Sequence, residues 1–428
     1  MGRSLTSVAV VVGLATFVAG AGAACSSSSS GGDPVDGGAA GEGGTDDAGA
    51  GDAGEPGYPA PHSPMPQAVS LKGPVMTAPK LVTITFKGDA LRADIEKFAT
   101  ELAAAKAYWA GATAEYGVGP LTLAPAIALD EDAPTTIADS DLQAWLTTKI
   151  QGDAGALPQP DGNTIYAIYF PDTSVVTMGG GSLCKEFQGY HDDYLLTGTT
   201  YVSYAVVGRC PPMGPIPEID EVSAAAVHEI IEVATDPLPQ DQPAYISVDV
   251  AGRAWAFVGG GKEIGDLCAG FPDAFYRTAG VTNLVQRVWS NKAAAAGHAP
   301  CEPEGAMPYF NSAPVTADTI MVNSASMGSF TTKGIKIPVG QSRTIDLELY
   351  SDAPTSGKWK VSVLDLSSAF FGGPKALSFT MDKTTGQNGD KIKLTIKAEA
   401  KTTMGASPFF VQNVLGKQQT FWIGLVEN

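Results

Sequence analysis

Histidine is scarce in this chain: four among 428 residues, His62, His191, His228 and His298. Cysteine is almost as scarce, with five. No two form a Cys-x-x-Cys pair, which argues against a thiolate zinc cluster. Basic residues are outnumbered, 27 Lys and Arg against 45 Asp and Glu, for a net charge of -18. Such a chain has little with which to neutralise phosphates, so nucleic acid is excluded as a partner. Seven of the acidic residues lie within 33–55, where there is no Lys or Arg. The remainder is therefore only moderately acidic. Past residue 24 no run is long and apolar enough to span a bilayer. Beyond Cys301 there is neither cysteine nor histidine, so a catalytic role for the C-terminal part is not expected.

What is present at the N-terminus reads as an export signal over residues 1–24. Arg3 supplies the charge, residues 8–24 are apolar and small, and "AGAAC" leads into Cys25. The segment resembles a bacterial lipoprotein signal, which implies a lipidated Cys25, although Gly22 stands where leucine is commonest. A Gly/Ser/Ala/Asp-rich stretch follows, with no apolar face to bury, and residues 25–70 read as a tether. The expected location is extracytoplasmic, on a bacterial outer membrane or cell surface, held by acyl chains. Removing Cys25 leaves Cys184, Cys210, Cys268 and Cys301, an even number that suits two disulfides in an exported chain. Three pairings are open; the local ones, Cys184–Cys210 and Cys268–Cys301, are favoured.

Between residues 71 and 308 strand and helix patterns alternate, which predicts an α/β or α+β domain. "KLVTITFKG", "NTIYAIYFP" and "TYVSYAVVG" read as strands. "ALRADIEKFATELAAAKAYWAGATAEYG" and "DSDLQAWLTTKIQ" have helical spacing. "AYISVDV", "RAWAFVGG" and "LVQRVWSN" read as later strands. From 309 to 428 the texture changes to short alternating strands separated by Gly, Asp, Pro and Ser turns. That pattern predicts an immunoglobulin-like β-sandwich, a spacer or binding module by default.

The most pointed stretch is "AAAVHEIIEVATDP", residues 224–237. It opens like the His-Glu-x-x-His helix of zinc proteases, but Glu232 replaces the second histidine. Projected at about 100° per residue, His228, Glu221, Glu232 and Glu229 share a narrow arc. More than half of the circumference is apolar, so the helix is expected to be mostly buried. His228 and Glu232 would offer nitrogen and oxygen to one divalent metal, zinc before manganese or calcium. Glu229 would act on metal-bound water as general base, the catalytic residue of a hydrolase. "KEIGDLC" would supply a further ligand, Asp266 or Glu263, and Asp236 and His191 are additional candidates. The bland alternative is a solvated helix face with an ordinary His228–Glu232 pair. A weaker idea places Ser182 or Cys184 near His191 as nucleophile, with the "MGGGSLC" loop as oxyanion hole.

The motifs "AYWAGATAEYGVG", "CKEFQGYHDDY", "AAAVHEIIEVATDP", "EIGDLC" and "LVQRVWSN", with a cysteine following, resemble the Exordium or phosphate-induced-protein family and its bacterial relatives. The resemblance runs from about Pro74 to Cys301. It implies the two local cysteine pairs and an extracellular, surface-associated role, and it implies no enzymatic activity. Bacterial relatives tend to keep the His-Glu-x-x-Glu helix, whereas plant members often carry small or apolar residues there. The helix itself resembles that of zincin metalloproteases only locally. Two functions are therefore expected to compete. One is a lipid-tethered, zincin-like metallohydrolase of peptide bonds. The other is a non-catalytic surface protein, with a structural or vestigial metal site, that binds wall glycan or a surface protein through exposed aromatics such as Trp109, Trp145, Trp255 and Trp289.

Overall fold

The computed structural model describes residues 57–152, 156–212, 214–271, 273–303, 305–324, 328–367, 374–402 and 405–428. The export signal, Cys25 and the acidic part of the tether lie outside the described residues. Strand dominates, in several sheets. No described helix is long and apolar enough to cross a membrane.

In the first domain, strand β1 (Lys80–Thr85) leads into helices α1 (Arg92–Ala104) and α2 (Lys106–Thr113). The helical spacing of this stretch is realised as two helices, because the backbone leaves the helical region at Ala105. Helix α3 (Asp139–Gln151) and strands β2 (Thr164–Phe170), β3 (Gly189–Thr197) and β4 (Thr200–Gly208) follow, then helix α4 (Glu218–Thr235). The main sheet runs Thr122–Leu123, β1, β2, β4, β3. β1, β2 and β4 are parallel, and β3 is an antiparallel edge strand. β2 is buried along its whole length, as expected of a central strand covered on both faces. One apolar cluster joins α1, α2 and α4 to Leu81, Ile165, Ala167, Tyr169, Ala205 and Val207. The opposite face, with Val82, Ile84, Tyr166, Ile168 and Tyr204, packs on α3 through Leu142, Leu146 and Ile150.

The three late segments read as strands behave differently. "RAWAFVGG" is helix α5 (Arg253–Gly259), ended by Gly260 in the left-handed region at φ 92°. Residues 244–250 form no strand, with bends at Ala244 and Tyr245 and one isolated bridge, Val248 with Ala68. In "LVQRVWSN" only β5 (Val285–Gln286) is strand, after the short helix α6 (Asp266–Ala269).

Residues 57–70, expected to belong to the tether, are packed against the fold. The Leu71 and Val69 amides donate to Ala244 and Ser247 carbonyls, both at 2.7 Å. Met65 and Ala68 are buried, and His62 stacks on Tyr350 at 3.6 Å. A proline-rich chain makes no internal backbone bonds, so this one bonds to its neighbours.

The C-terminal part is a two-sheet sandwich. Its strands are β6 (Phe310–Pro314), β7 (Asp318–Ser324), β8 (Gly328–Lys336), β9 (Ser342–Ser351) and β10 (Trp359–Asp365). β11 (Leu377–Met381), β12 (Lys391–Ala398), β13 (Ala406–Leu415) and β14 (Gln418–Glu427) complete it. One sheet pairs β6, β9, β12 and β11; the other pairs β7, β8, β14, β13, β10 and a short edge at Thr385–Gly386. The two domains share an apolar seam, in which Trp255 meets Trp422 at 5.7 Å and Phe257 meets Phe330 at 5.9 Å. Trp109, Trp255 and Trp289, offered above as binding aromatics, are core residues, and Trp145 is half-buried.

Candidate metal centre

Helix α4 is buried from Asp220 to Thr235. Its apolar arc, with Ala226, Ile230 and Val233, joins the cluster beneath the sheet. Its first-turn acids are used by the fold. Asp220 takes Arg277 at 2.5 Å and Asn283 at 3.2 Å, and Glu221 takes Gln188 at 2.9 Å. A carboxylate there also suits the positive end of the helix dipole. The polar arc further along meets two other segments. β3 alternates, so that His191 turns toward α4 while Tyr190 faces α3, its hydroxyl donating to Asp139 at 2.7 Å. The loop and short helix at 263–266 approach from the other side.

Six donor-bearing residues thereby converge. His191 Nδ1 lies 3.1 Å from Glu229 Oε2 and 3.7 Å from Glu232 Oε2. His191 Nε2 lies 3.3 Å from Glu263 Oε1. His228 Nε2 lies 3.0 Å from Glu232 Oε2 and 3.7 Å from Asp266 Oδ1. Every one of the six residues is at most 3 % exposed. Two sets of three, His191, Glu229, Glu232 and His228, Glu232, Asp266, each bring their ligand atoms within 4.8 Å of one another. His228, Glu232 and Asp266, singled out from sequence, are thus brought together, with Glu263 beside them.

Glycines make the room. A Cβ at Gly265 would stand 2.7 Å from Glu232 Oε1 and 2.9 Å from His228 Nδ1. A Cβ at Gly189 would stand 2.9 Å from the Glu229 Cγ and Oε1. No side chain fits at either point without moving a donor.

Gln286 orients the centre. Its Oε1 accepts from His228 Nδ1 at 2.7 Å, while its own Nε2 donates to the Gly265 carbonyl at 2.6 Å. An amide oxygen only accepts, so His228 carries a proton on Nδ1, and it is Nε2, facing Glu232 and Asp266, that a cation would take in place of a proton. Sequence reasoning missed Gln286, a neutral amide inside an apolar stretch, which carried no distinguishing signal.

The residues fit a metal by a test of hydrogen bonding. His191 Nε2, His228 Nε2 and both oxygens of Glu232 and of Glu263 are buried with no hydrogen-bond partner outside the cluster itself, where ring nitrogens face carboxylate oxygens at 3.0 to 3.7 Å. Buried polar atoms in native proteins are nearly always satisfied, and a cluster of acceptor atoms with no N–H or O–H group from outside it is what a cation would complete. Electrostatics agree. Burial opposes the charge on His228, but Glu232, Glu229 and Asp266 outweigh it and push the imidazole up to about 10. Burial, against the pull of His228, pushes Asp266 up to about 6, and burial with Glu263 nearby pushes Asp236 up to about 7. Without a cation the cluster holds protons.

The other candidates fall elsewhere. Asp236 accepts the Ala244 amide at 2.6 Å and stands outside both sets. His298 pairs with Asp352 at 2.9 Å. The disulfides are Cys184–Cys210 and Cys268–Cys301. Cys184 is therefore unavailable as a nucleophile. Two disulfides mark an oxidising, extracytoplasmic setting.

No family model matches the chain, and no curated protein matches it. Solved structures give weak likenesses. Domains 4 and 5 of the S-layer protein SbsC share 15% identity over 27% of this chain and 47% of that one, with a TM-score of 0.16. A chimeric titin Z1Z2 shares 12% over 26% of this chain and 96% of that one, TM-score 0.15. A Bacteroides ovatus GH5 xyloglucanase shares 14% over 22% and 17%, TM-score 0.14.

Proposed function

We propose that this chain is an exported, lipid-tethered surface protein whose first domain is organised around a closed divalent-metal centre, and that this centre is structural. The observation that carries the reading is burial: all six donor residues are at most 3 % exposed. Structural metal sites are closed by protein ligands, whereas catalytic ones keep a position open to water and substrate. His228, Glu232 and Asp266, or His191, Glu229 and Glu232, would hold the ion, and either set would tie α4 to a second element, α6 or β3. Glu229, proposed from sequence as a general base, is paired with His191 at 3.1 Å, which suits a ligand better than a free base. The disulfides reinforce the same elements: Cys268 lies two residues beyond Asp266, and Cys184 precedes β3. Zinc or manganese fits nitrogen and carboxylate donors.

The likeness in motif order to the Exordium family supports a surface role. In the sandwich, β6, β9, β12 and β11 form one sheet and β8, β14, β13 and β10 lie consecutively in the other, with β8 parallel to β14. That order supports the immunoglobulin-like reading of a spacer or a glycan- or protein-binding module.

A second reading, the zincin-like peptide hydrolase, is favoured by one observation. The His-Glu-x-x-Glu helix directly follows the last parallel strand and lies against an antiparallel edge strand, β3. Thermal unfolding of the full-length chain with and without a chelator separates the two, together with assays on peptide and amide substrates. A lower first-domain transition after metal removal, and no turnover by the loaded chain, is expected. Metal-dependent hydrolysis abolished by Glu229→Gln with the metal retained would contradict the structural reading.

A further inference from the structure

We infer that the centre is dinuclear: two divalent cations, one held by His191, Glu229 and Glu232, the other by His228, Glu232 and Asp266, with Glu232 common to both. The inference deepens the metal-centre reading above and rests on it.

Geometry is the first argument. The donors fall into two triads that share Glu232, and within each triad the ligand atoms lie within 4.8 Å of one another. A cation with bonds of about 2.0–2.2 Å keeps all its donors within about 4.4 Å of one another. One ion therefore suits one triad. Two donors on a tetrahedral ion stand about 3.4 Å apart. The separations here, 3.1 and 3.7 Å in the first triad and 3.0 and 3.7 Å in the second, straddle that value.

Charge is the second argument. Glu229, Glu232, Glu263 and Asp266 place four carboxylates in the protein interior, each at most 2 % exposed. With neutral, ligating histidines, one divalent ion leaves two negative charges unbalanced, and a second balances them. Buried charges persist only when paired or bound to metal.

The donor inventory is the third. Four carboxylates and two histidines are the complement with which di-iron and di-manganese carboxylate proteins surround two ions. Here a strand, a helix and a loop supply the set, on a different fold. His228 also has an outer partner on its other nitrogen, Gln286, at 2.7 Å. Such a partner fixes the ring that faces the metal.

The test strips the full-length, disulfide-intact chain with a chelator and reloads it with manganese(II) or with zinc. Metal per chain is measured by elemental mass spectrometry, and the manganese form by electron paramagnetic resonance. Two ions per chain and an exchange-coupled manganese signal are expected. His191→Gln and His228→Gln should each keep one ion, and Glu232→Gln should weaken both sites by tenfold or more. One ion with an isolated six-line signal overturns the dinuclear centre and leaves the single-metal reading intact. No ion overturns both. Two ions that survive His191→Gln place the second ion elsewhere and also overturn the inference. If a variant fails to fold, the coupling in the unaltered chain decides.

Discussion

The two domains each bury a polar cluster, and the clusters are built on opposite principles. In the sandwich, Asn311, Ser312, Asn413 and Trp359 satisfy one another. Ser312 donates to Asn413 at 2.6 Å, Asn413 to Asn311 at 2.8 Å, Asn311 to the Phe421 carbonyl at 3.0 Å, and Trp359 to Ser312 at 3.2 Å. All four are neutral, and that network closes with protein atoms alone. In the first domain four carboxylates and two histidines converge, and six of their buried atoms have no hydrogen-bond partner outside the cluster. Polar groups buried for folding are paired within the fold; polar groups buried in excess of their partners point to something the fold receives. The same contrast appears in composition, since both central histidines and all four disulfide cysteines belong to the first domain.

The largest expected effect is metal removal. A ligand present at a thousand times its dissociation constant stabilises by about 4 kcal/mol. For a domain of this size that corresponds to a midpoint shift of about 10 °C. Differential scanning calorimetry should find it in the first domain's transition, and a fall shared equally by the sandwich would erase the contrast. Gly265→Val comes next. Its new side chain would enter the space of Glu232 Oε1, 2.7 Å from the Cβ position, so metal affinity should fall by about 100-fold or more while the disulfides still form. Gln286→Leu leaves His228 without its orienting acceptor and should weaken metal binding by about 10- to 100-fold, read by competition with a chromogenic chelator. Asn413→Ala is the control in the other domain. Breaking the neutral network should cost about 1–3 kcal/mol and leave metal content unchanged.

pH should divide the metal-free and loaded forms. His228, pushed up to about 10, stabilises the metal-free fold below its ordinary value of 6.5 and loses that contribution as pH rises toward 10. Asp266 and Asp236, pushed up to about 6 and 7, act in the same direction as pH rises from 3.8. The metal-free chain should thus weaken between pH 4 and 8. The increment supplied by metal should grow over the same range, because protons leave the ligands. Chelated and loaded samples followed across that range should diverge; parallel curves would count against a metal at these residues.

The centre was partly legible in the sequence. Helical periodicity put His228, Glu232 and Glu229 on one arc, and the apolar remainder of the helix pointed to burial. The scarcity of histidine drew attention to His191, and chain distance drew it to Asp266 and Glu263. Gln286 was not legible, because its role depends on a contact across 58 residues of sequence. Neither was the placement of α5. Large and small residues alternate in "RAWAFVGG" as in a strand, yet Ala254, Trp255, Ala256 and Phe257 are all buried on a helix held between the core and the sandwich. Tertiary packing decided that segment over local pattern. The proline-rich residues 57–70 looked like tether for a similar reason, since their partners lie far along the chain.

The most direct measurement is the metal content of the full-length chain purified with its disulfides intact, beside the His228→Ala and Glu232→Gln variants. The account predicts bound divalent metal in the unaltered chain, lost or reduced in both variants. A folded chain that holds none, even after incubation with zinc and manganese, would contradict it.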